Sequence, residues 1–315
     1  MLRAKEALQD DRLNNLANRT IMGIGTVPIS SSPSAVSKDL LWLRDLIYKA
    51  SGIFHVEAKS SLIERACLRR MDALEIDELS DYCEYLNSDP RRRMEITELL
   101  NEITIGETCF FRNQPQLDAL RDKILPEVMK SPSKLALKQV RIWSAGCSTG
   151  EEPYTLAMLL LELQQTLLRG WSFEIRATDL NSRSIERAKA GVYTPYSLRN
   201  TAPAFKTKYF HQYGDSFDVR DEVRAKVKFE QLNLNDSQRM LFMTGFDVIF
   251  CCNVLIYFDL QSKKRVISHF YSNLLDGGYF FLGHSESLFG VEDRFRLVQF
   301  PATTGYWKAP SNVKC

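Results

Sequence analysis

Downstream of Lys138 the sequence changes rhythm: short apolar runs alternate with stretches of helical periodicity, and this alternation restricts the fold more than any other feature. The runs VRIWSA (140–145), FEIRATD (173–179), KVKFEQLN (226–233), DVIFCCN (247–253) and GYFFLGH (278–284) are rich in β-branched and aromatic residues. Their nearly continuous apolar character is expected of parallel strands covered on both faces. Helical patterns occupy residues 154–168, 182–190 and 261–275 between them. Such alternation predicts a doubly wound α/β sheet. The stretch FRLVQFPATTGYWKA (295–309) reads as two strands joined by a turn, an antiparallel hairpin for the sheet edge. The stretch YFHQYGDSFDVRDEVR (209–224) reads as a small inserted β element.

Upstream the period is helical. Leu40, Leu43, Leu46 and Ile47 form one stripe, and Leu62, Cys67, Leu68, Met71 and Leu74 form another. Further helices are expected at residues 79–87, 91–102 and 114–130. Residues 21–37, rich in Gly, Ser and Pro, read as a linker behind a short helical extension. The expected organisation is therefore an N-terminal extension (1–37), an all-helical domain (38–130) and an α/β domain (131–315) with an insertion at about 209–225.

With 315 residues, 44% hydrophobic and 25% charged, the chain can bury a sizeable core as an ordinary globular protein. A formal net charge of +2 points to neither nucleic acid nor a membrane surface. No apolar run reaches about 18 residues, and the start, MLRAKEALQDDRLNNLANR, is too charged for a signal peptide, so a cytoplasmic location is expected. The seven cysteines include no C-x-x-C pair and the four histidines are dispersed. Reduced thiols and no metal site are expected.

The loop SAGCSTGEEPY (144–154) joins the first strand to a helix. It lacks the Gly-Lys-Ser/Thr of a phosphate loop and the G-x-G-x-x-G of a dinucleotide site. Glu151 and Glu152 stand where a phosphate would be repelled, so the loop suits a cationic or neutral ligand. Asp179, at the end of the second strand, is placed to bind ribose hydroxyls. With Asn233 and Asn253 ending the third and fourth strands and Tyr257 just beyond, these features face one crevice. An adenosine bearing a positive group and no phosphate fits the set, which describes S-adenosylmethionine. For the loop taken alone, a plain strand-to-helix turn remains open.

Six stretches carry a more specific signal: TCFFR (108–112), WSAGCSTGEEPY (143–154), ATDLNSRSIERAKAGVY (177–193), FEQLNL (229–234), FDVIFCCNVLIYFD (246–259) and GGYFFLGHSESL (277–288). In this order they resemble the chemotaxis receptor glutamate methyltransferases, the CheR family, across roughly residues 38–308. The resemblance implies an all-α N-terminal domain, then a Rossmann-like seven-stranded methyltransferase sheet with a small antiparallel β-subdomain. It implies S-adenosylmethionine as cofactor, S-adenosylhomocysteine as product and methyl-accepting chemotaxis receptors as partners, with no nucleic acid, no membrane insertion and a monomeric enzyme. The cofactor residues it implies are Gly106, Thr108, Arg112, Glu152, Asp179, Asn233, Leu234, Cys252 and Asn253. Arg112 and Tyr257 are implied at the transferred methyl group. Lys59, Arg65, Arg69 and Arg70, in and beside KSSLIERACLRRM, are implied to dock acidic receptor helices.

The chain departs from the family at two places. Cys252 replaces an arginine, and Gly106 stands where an asparagine is frequent. The β insertion has a single Gly214 where relatives carry a glycine cluster that captures a receptor's C-terminal pentapeptide, so independence of that pentapeptide is expected. Two alternatives stay open on sequence: a methyltransferase for another substrate, and a cofactor-binding regulator with weakened catalysis.

Overall fold

The computed structural model describes residues 37–54, 60–104 and 106–310. The expected N-terminal extension and linker, and Lys59, lie outside the described residues. Among the described residues four helices come first: α1 (Lys38–Ser51), α2 (Ser60–Leu74), α3 (Leu79–Ser88) and α4 (Arg92–Ile103). They share a core of Leu43, Ile47, Ile63, Ala66, Cys67, Met71, Tyr82, Leu86, Leu99, Leu100 and Ile103. Leu68, expected in the α2 stripe, is exposed, and Ile63 and Ala66 take the buried positions. Real burial follows the 3.6-residue turn, which carries Leu68 past the face that Ile63, Ala66 and Cys67 share.

The helix expected at 114–130 is broken in the middle. α5 (Gln114–Ala119) passes through a π-helical turn, Leu120–Ile124, before helix resumes at Leu125–Val128. Pro126 has no N–H to give the carbonyl four residues earlier, and the wider turn absorbs that break. This segment packs Leu117, Leu120, Ile124, Leu125 and Val128 into the core of the sheet.

Ten strands follow: β1 (Gln139–Ala145), β2 (Ser172–Asp179), β3 (Val192–Tyr193), β4 (Phe210–Tyr213), β5 (Ser216–Val219), β6 (Val227–Gln231), β7 (Phe246–Cys251), β8 (Leu274–Leu282), β9 (Phe295–Phe300) and β10 (Thr303–Lys308). Seven form one sheet in the order β6-β2-β1-β7-β8-β10-β9. Its first five strands are parallel, while β10 runs antiparallel to β8 and β9. The terminal hairpin and the five expected strands are thus where their patterns put them, but β6 is an edge strand with alternating exposure rather than one buried on both faces. The inserted element is a three-stranded antiparallel sheet, β3-β5-β4. Its first strand comes from Val192–Tyr193, a two-residue strand too short to read in advance.

Alternation along the central strands feeds two cores. Val248 and Phe250 of β7 pack with α6 (Glu151–Leu163), whereas Ile249 and Cys251 pack against Val266, Ile267 and Phe270 of the helix α8 (Leu260–Asn273). Every residue of β7 is buried, so its run is apolar except for Asp247, which is paired with Lys134 at 2.7 Å. α7 (Ser182–Ala190) links the second strand to the inserted sheet. From β1 the chain runs outward through β2 to β6, then returns to β7 on the other side. The loops after β1 and β7 therefore diverge, and a crevice opens at the carboxyl ends of these strands.

Candidate active site

A cavity of about 870 Å³ occupies this crevice. Gly106, Thr108, Arg112, Glu152, Asp179, Asn233, Leu234, Cys252, Asn253 and Tyr257 all line it, together with Arg65 of α2. Residues separated by more than 190 positions in sequence thus meet at one surface.

The loop after β1 begins with the Gly146 and Cys147 N–H groups donating to the Thr178 carbonyl oxygen, at 2.7 and 2.9 Å. Gly146 has φ of 78°, and a Cβ there would overlap the Val254 side chain. Only glycine lets the two diverging loops approach so closely. Ser148 donates its N–H to Asp179 Oδ2 at 2.8 Å, and Asn181 donates to Oδ1 at 2.8 Å. Burial raises the Asp179 pKa above the ordinary aspartate value, while those backbone donors pull it back.

The adjacent acids have separate surroundings. Glu151 is buried outside the cavity lining and accepts from the Thr149 and Ser197 hydroxyls at 2.7 and 3.1 Å. Glu152 lines the cavity, where Ser144 Oγ donates to it at 2.6 Å. Burial raises the Glu152 pKa, against the pull of Ser144, Cys252 and the Arg112 charge. A carboxylate held this way gains most from a cation brought into the cavity.

Cys252 donates its thiol to Gln116 Oε1 at 3.4 Å, and Gln116 Nε2 donates to the Leu282 carbonyl at 2.6 Å. Burial first, and Glu152 next, push the Cys252 thiol well above its usual pKa, so it stays protonated. Cys251 is fully buried in β7 and is raised in the same direction. At Cys252 the cavity wall therefore presents a neutral donor.

Arg112 owes its place to the two phenylalanines before it. The buried Phe110 ring meets Tyr193 and Phe210 edge-on at 4.8 and 5.1 Å, and Phe111 packs on Phe205 at 4.9 Å. Phe111 is left-handed, with φ of 54°, and its N–H donates to Thr155 Oγ1 at 3.1 Å. This sharp turn swings Arg112 into the crevice, where Nη1 donates to the Glu107 carbonyl at 2.8 Å. Tyr257 ends a 3₁₀ turn, Leu255–Tyr257, after β7. Burial raises its phenol pKa and the Arg112 charge lowers it, so these two groups share one electrostatic neighbourhood.

Asn233 stands at the wall with its amide already engaged, donating to the Ala50 carbonyl at 2.6 Å and accepting from Asn235 N–H at 2.9 Å. It thereby ties the end of α1 to the cavity. Phe54 N–H donates to the Tyr257 carbonyl at 2.8 Å, Ile53 forms an isolated bridge with Phe258, and Tyr48 OH donates to Asp259 Oδ2 at 3.0 Å. Sequence reasoning missed this strap, along with Ser144, Ser148 and Gln116. Ser148 Oγ is buried without a hydrogen-bond partner and lies against Gly106, where a Cβ would overlap it.

The basic cluster on α2 divides. Arg65 lines the cavity, and Arg69 is half-exposed with Nε on Glu102 Oε2 at 2.6 Å. Arg70 turns inward to the buried Glu95, 2.7 Å from its Oε2, and Tyr82 OH donates to the same carboxylate at 2.8 Å.

A mostly parallel seven-stranded sheet closed by an antiparallel hairpin, with a crevice at its switch point that offers acids and no phosphate loop, defines the Rossmann-like methyltransferases. Residues 106–304 match the family model described as CheR methyltransferase, SAM binding domain, and residues 38–104 match CheR methyltransferase, all-alpha domain. The chain belongs to the CheR methyltransferase family and uses S-adenosylmethionine. It is 35% identical over 272 residues to chemotaxis protein methyltransferase 2 of Vibrio cholerae, covering 86% of this chain and 92% of that protein. Chemotaxis protein methyltransferases of Borreliella burgdorferi (35% identical, 85% of this chain and 94% of the other) and Pseudomonas aeruginosa (33%, 84% and 96%) are similarly related. No helix among the described residues is long and apolar enough to cross a membrane.

Proposed function

We propose that the protein methylates glutamate side chains of chemotaxis receptors, forming glutamate methyl esters and S-adenosylhomocysteine. The observation that carries this reading is the convergence of Arg112, Tyr257 and Arg65 on a cavity that also holds Glu152 and Asp179. The names of relatives that match along both the helical and the sheet-bearing parts support it.

The cavity fits the cofactor. Its donor set is two carboxylates without a phosphate loop, and the orphan Ser148 hydroxyl is a polar group that lacks a ligand partner. Glu152 would meet the cationic amino-acid end and Asp179 the ribose. Asn233 and Leu234 would flank the adenine, with Gly106, Thr108, Cys252 and Asn253 completing the wall. When bound, S-adenosylmethionine supplies a methyl group on a positively charged sulfur.

The chain's own task is then alignment. A receptor glutamate is already ionised near neutral pH, so no general base is needed. Arg112 holds the incoming carboxylate by charge-assisted hydrogen bonds, and the Tyr257 hydroxyl donates to it. Together they fix the attacking oxygen, while the cavity walls keep water from competing. Arg65 and Arg69 present a basic face of α2 to the acidic receptor helix, with Arg70 in a supporting role beneath it. The enzyme acts as a monomer. β4, at the edge of the small sheet, ends in a turn with one glycine, and we propose that receptor methylation needs no C-terminal pentapeptide. Calorimetric titration with such a pentapeptide is expected to give no heat of binding, and tight binding would refute this point.

Incubating the protein with labelled S-adenosylmethionine and receptor-bearing membranes tests the main reading. Base-labile label is expected on the receptors.

A further inference from the structure

We propose that Glu286 is a positioning residue for methyl transfer, because its carboxylate sets the loop that presents Tyr257. When the chain leaves β7 at Cys251 it must turn at once, and a turn at the end of a buried strand leaves backbone N–H groups without ladder partners. Glu286 collects them. Oε2 accepts from Asn253 N–H at 2.6 Å and from Gly283 N–H at 2.8 Å, and Oε1 accepts from Ile256 N–H at 3.2 Å. One carboxylate thus joins the ends of β7 and β8 to the base of the 3₁₀ turn that ends in Tyr257.

Two backbone features follow from this grip. Asn253 adopts φ of 61°, which aims its N–H at the carboxylate. A Cβ at Gly283 would come 2.8 Å from Glu286 Oε2 and 2.9 Å from Asn253 N, so only glycine admits the approach. Glu286 itself stands behind the wall, whereas Asn253, Ile256 and Tyr257 line the cavity. It therefore acts through the loop rather than on substrate. Its negative charge also works with burial to keep the Tyr257 phenol protonated, against the opposite influence of Arg112.

The inference rests on the reading of Tyr257 as a substrate-facing donor, so the test carries Tyr257→Phe beside Glu286→Ala, Glu286→Gln and the Ala/Phe double variant. The readouts are kcat and KM with receptor membranes, S-adenosylmethionine affinity by calorimetry, and thermal melting. Glu286→Ala is expected to lower kcat about tenfold, a larger effect than on cofactor affinity or receptor KM. Glu286→Gln keeps the pair of bonds at one oxygen but sets an amide N–H against Ile256 N–H, so its kcat should fall in between. The double variant should be no slower than Tyr257→Phe alone, since both changes remove the same contact. An unchanged kcat in both Glu286 variants, multiplicative losses in the double variant, or parallel loss of kcat and cofactor affinity would overturn the proposal. Should Glu286→Ala not fold, Glu286→Gln decides in its place, with wild-type kcat refuting the idea. A Tyr257→Phe enzyme with wild-type kcat would instead remove the premise about Tyr257.

Discussion

Glu152 shows how much a residue's role depends on what shares its burial. Its carboxyl pKa is pushed up by desolvation, so without a ligand the ionised form is less favoured than in water. A carboxyl with a raised folded pKa contributes stability below its unfolded value, and that contribution is lost as pH rises through the folded value. Asp179 and Glu151 shift in the same direction and add to the effect. A bound cation opposes this shift, because it interacts with the ionised form. Cofactor affinity should therefore weaken as pH falls through the raised Glu152 pKa, and the melting-temperature gain from S-adenosylmethionine should be larger at alkaline than at acidic pH. Glu152→Gln should weaken binding by about tenfold at alkaline pH and flatten this profile. Calorimetry across pH checks both, and an unchanged profile in the variant would exclude Glu152 as the cation's partner. The sequence made Glu152 a candidate through its place at a helix start. It gave no sign of Ser144 or Gln116, whose partners Glu152 and Cys252 are brought to them only by tertiary packing.

At the scale of the element, the proposed function divides α2 between receptor docking and stability. Residues four apart share a face, whereas Arg70 lies about 100° further round than Arg69. That rotation takes it to Glu95, which is 4% exposed and also bonded to Tyr82. Reversing Arg65 and Arg69 to glutamate is expected to raise receptor KM by about tenfold and to weaken its salt dependence. Arg70→Ala should act on folding instead, since it strands a buried carboxylate at a cost of about 3–5 kcal/mol. Melting curves beside receptor kinetics separate the two, and a stable Arg70→Ala enzyme with raised KM would reassign that residue to docking. The helical period made the basic cluster visible, but the partner acid sits on α4, 25 residues away, and no local pattern announces it. Strands buried on both faces were legible for the opposite reason, because their environment is uniform along the run. The π-helical turn and β3 depended on a proline break and on a pairing with β5, and neither leaves a periodic trace.

For the molecule as a whole, the decisive fact is that one cavity draws on parts of the chain far apart in sequence. Its wall comes from the ends of β1, β2, β6 and β7, with Arg112 from a turn clamped by two phenylalanines and Arg65 from a helix of the N-terminal core. The strap from α1 meets the Tyr257 turn and Asn233 across 183 residues, which motif order alone did not disclose. This convergence makes a definite claim: glutamate carboxylates are methylated at a site bounded by Arg112 and Tyr257. The most direct measurement is mass spectrometry of receptor peptides after incubation of receptor membranes with S-adenosylmethionine and enzyme. Base-labile methyl groups are expected on glutamates of the receptors' cytoplasmic region, with yields reduced by at least about tenfold in Arg112→Ala and Tyr257→Phe. Methyl groups on other residue types, none on any receptor, or full yields from both variants would contradict it.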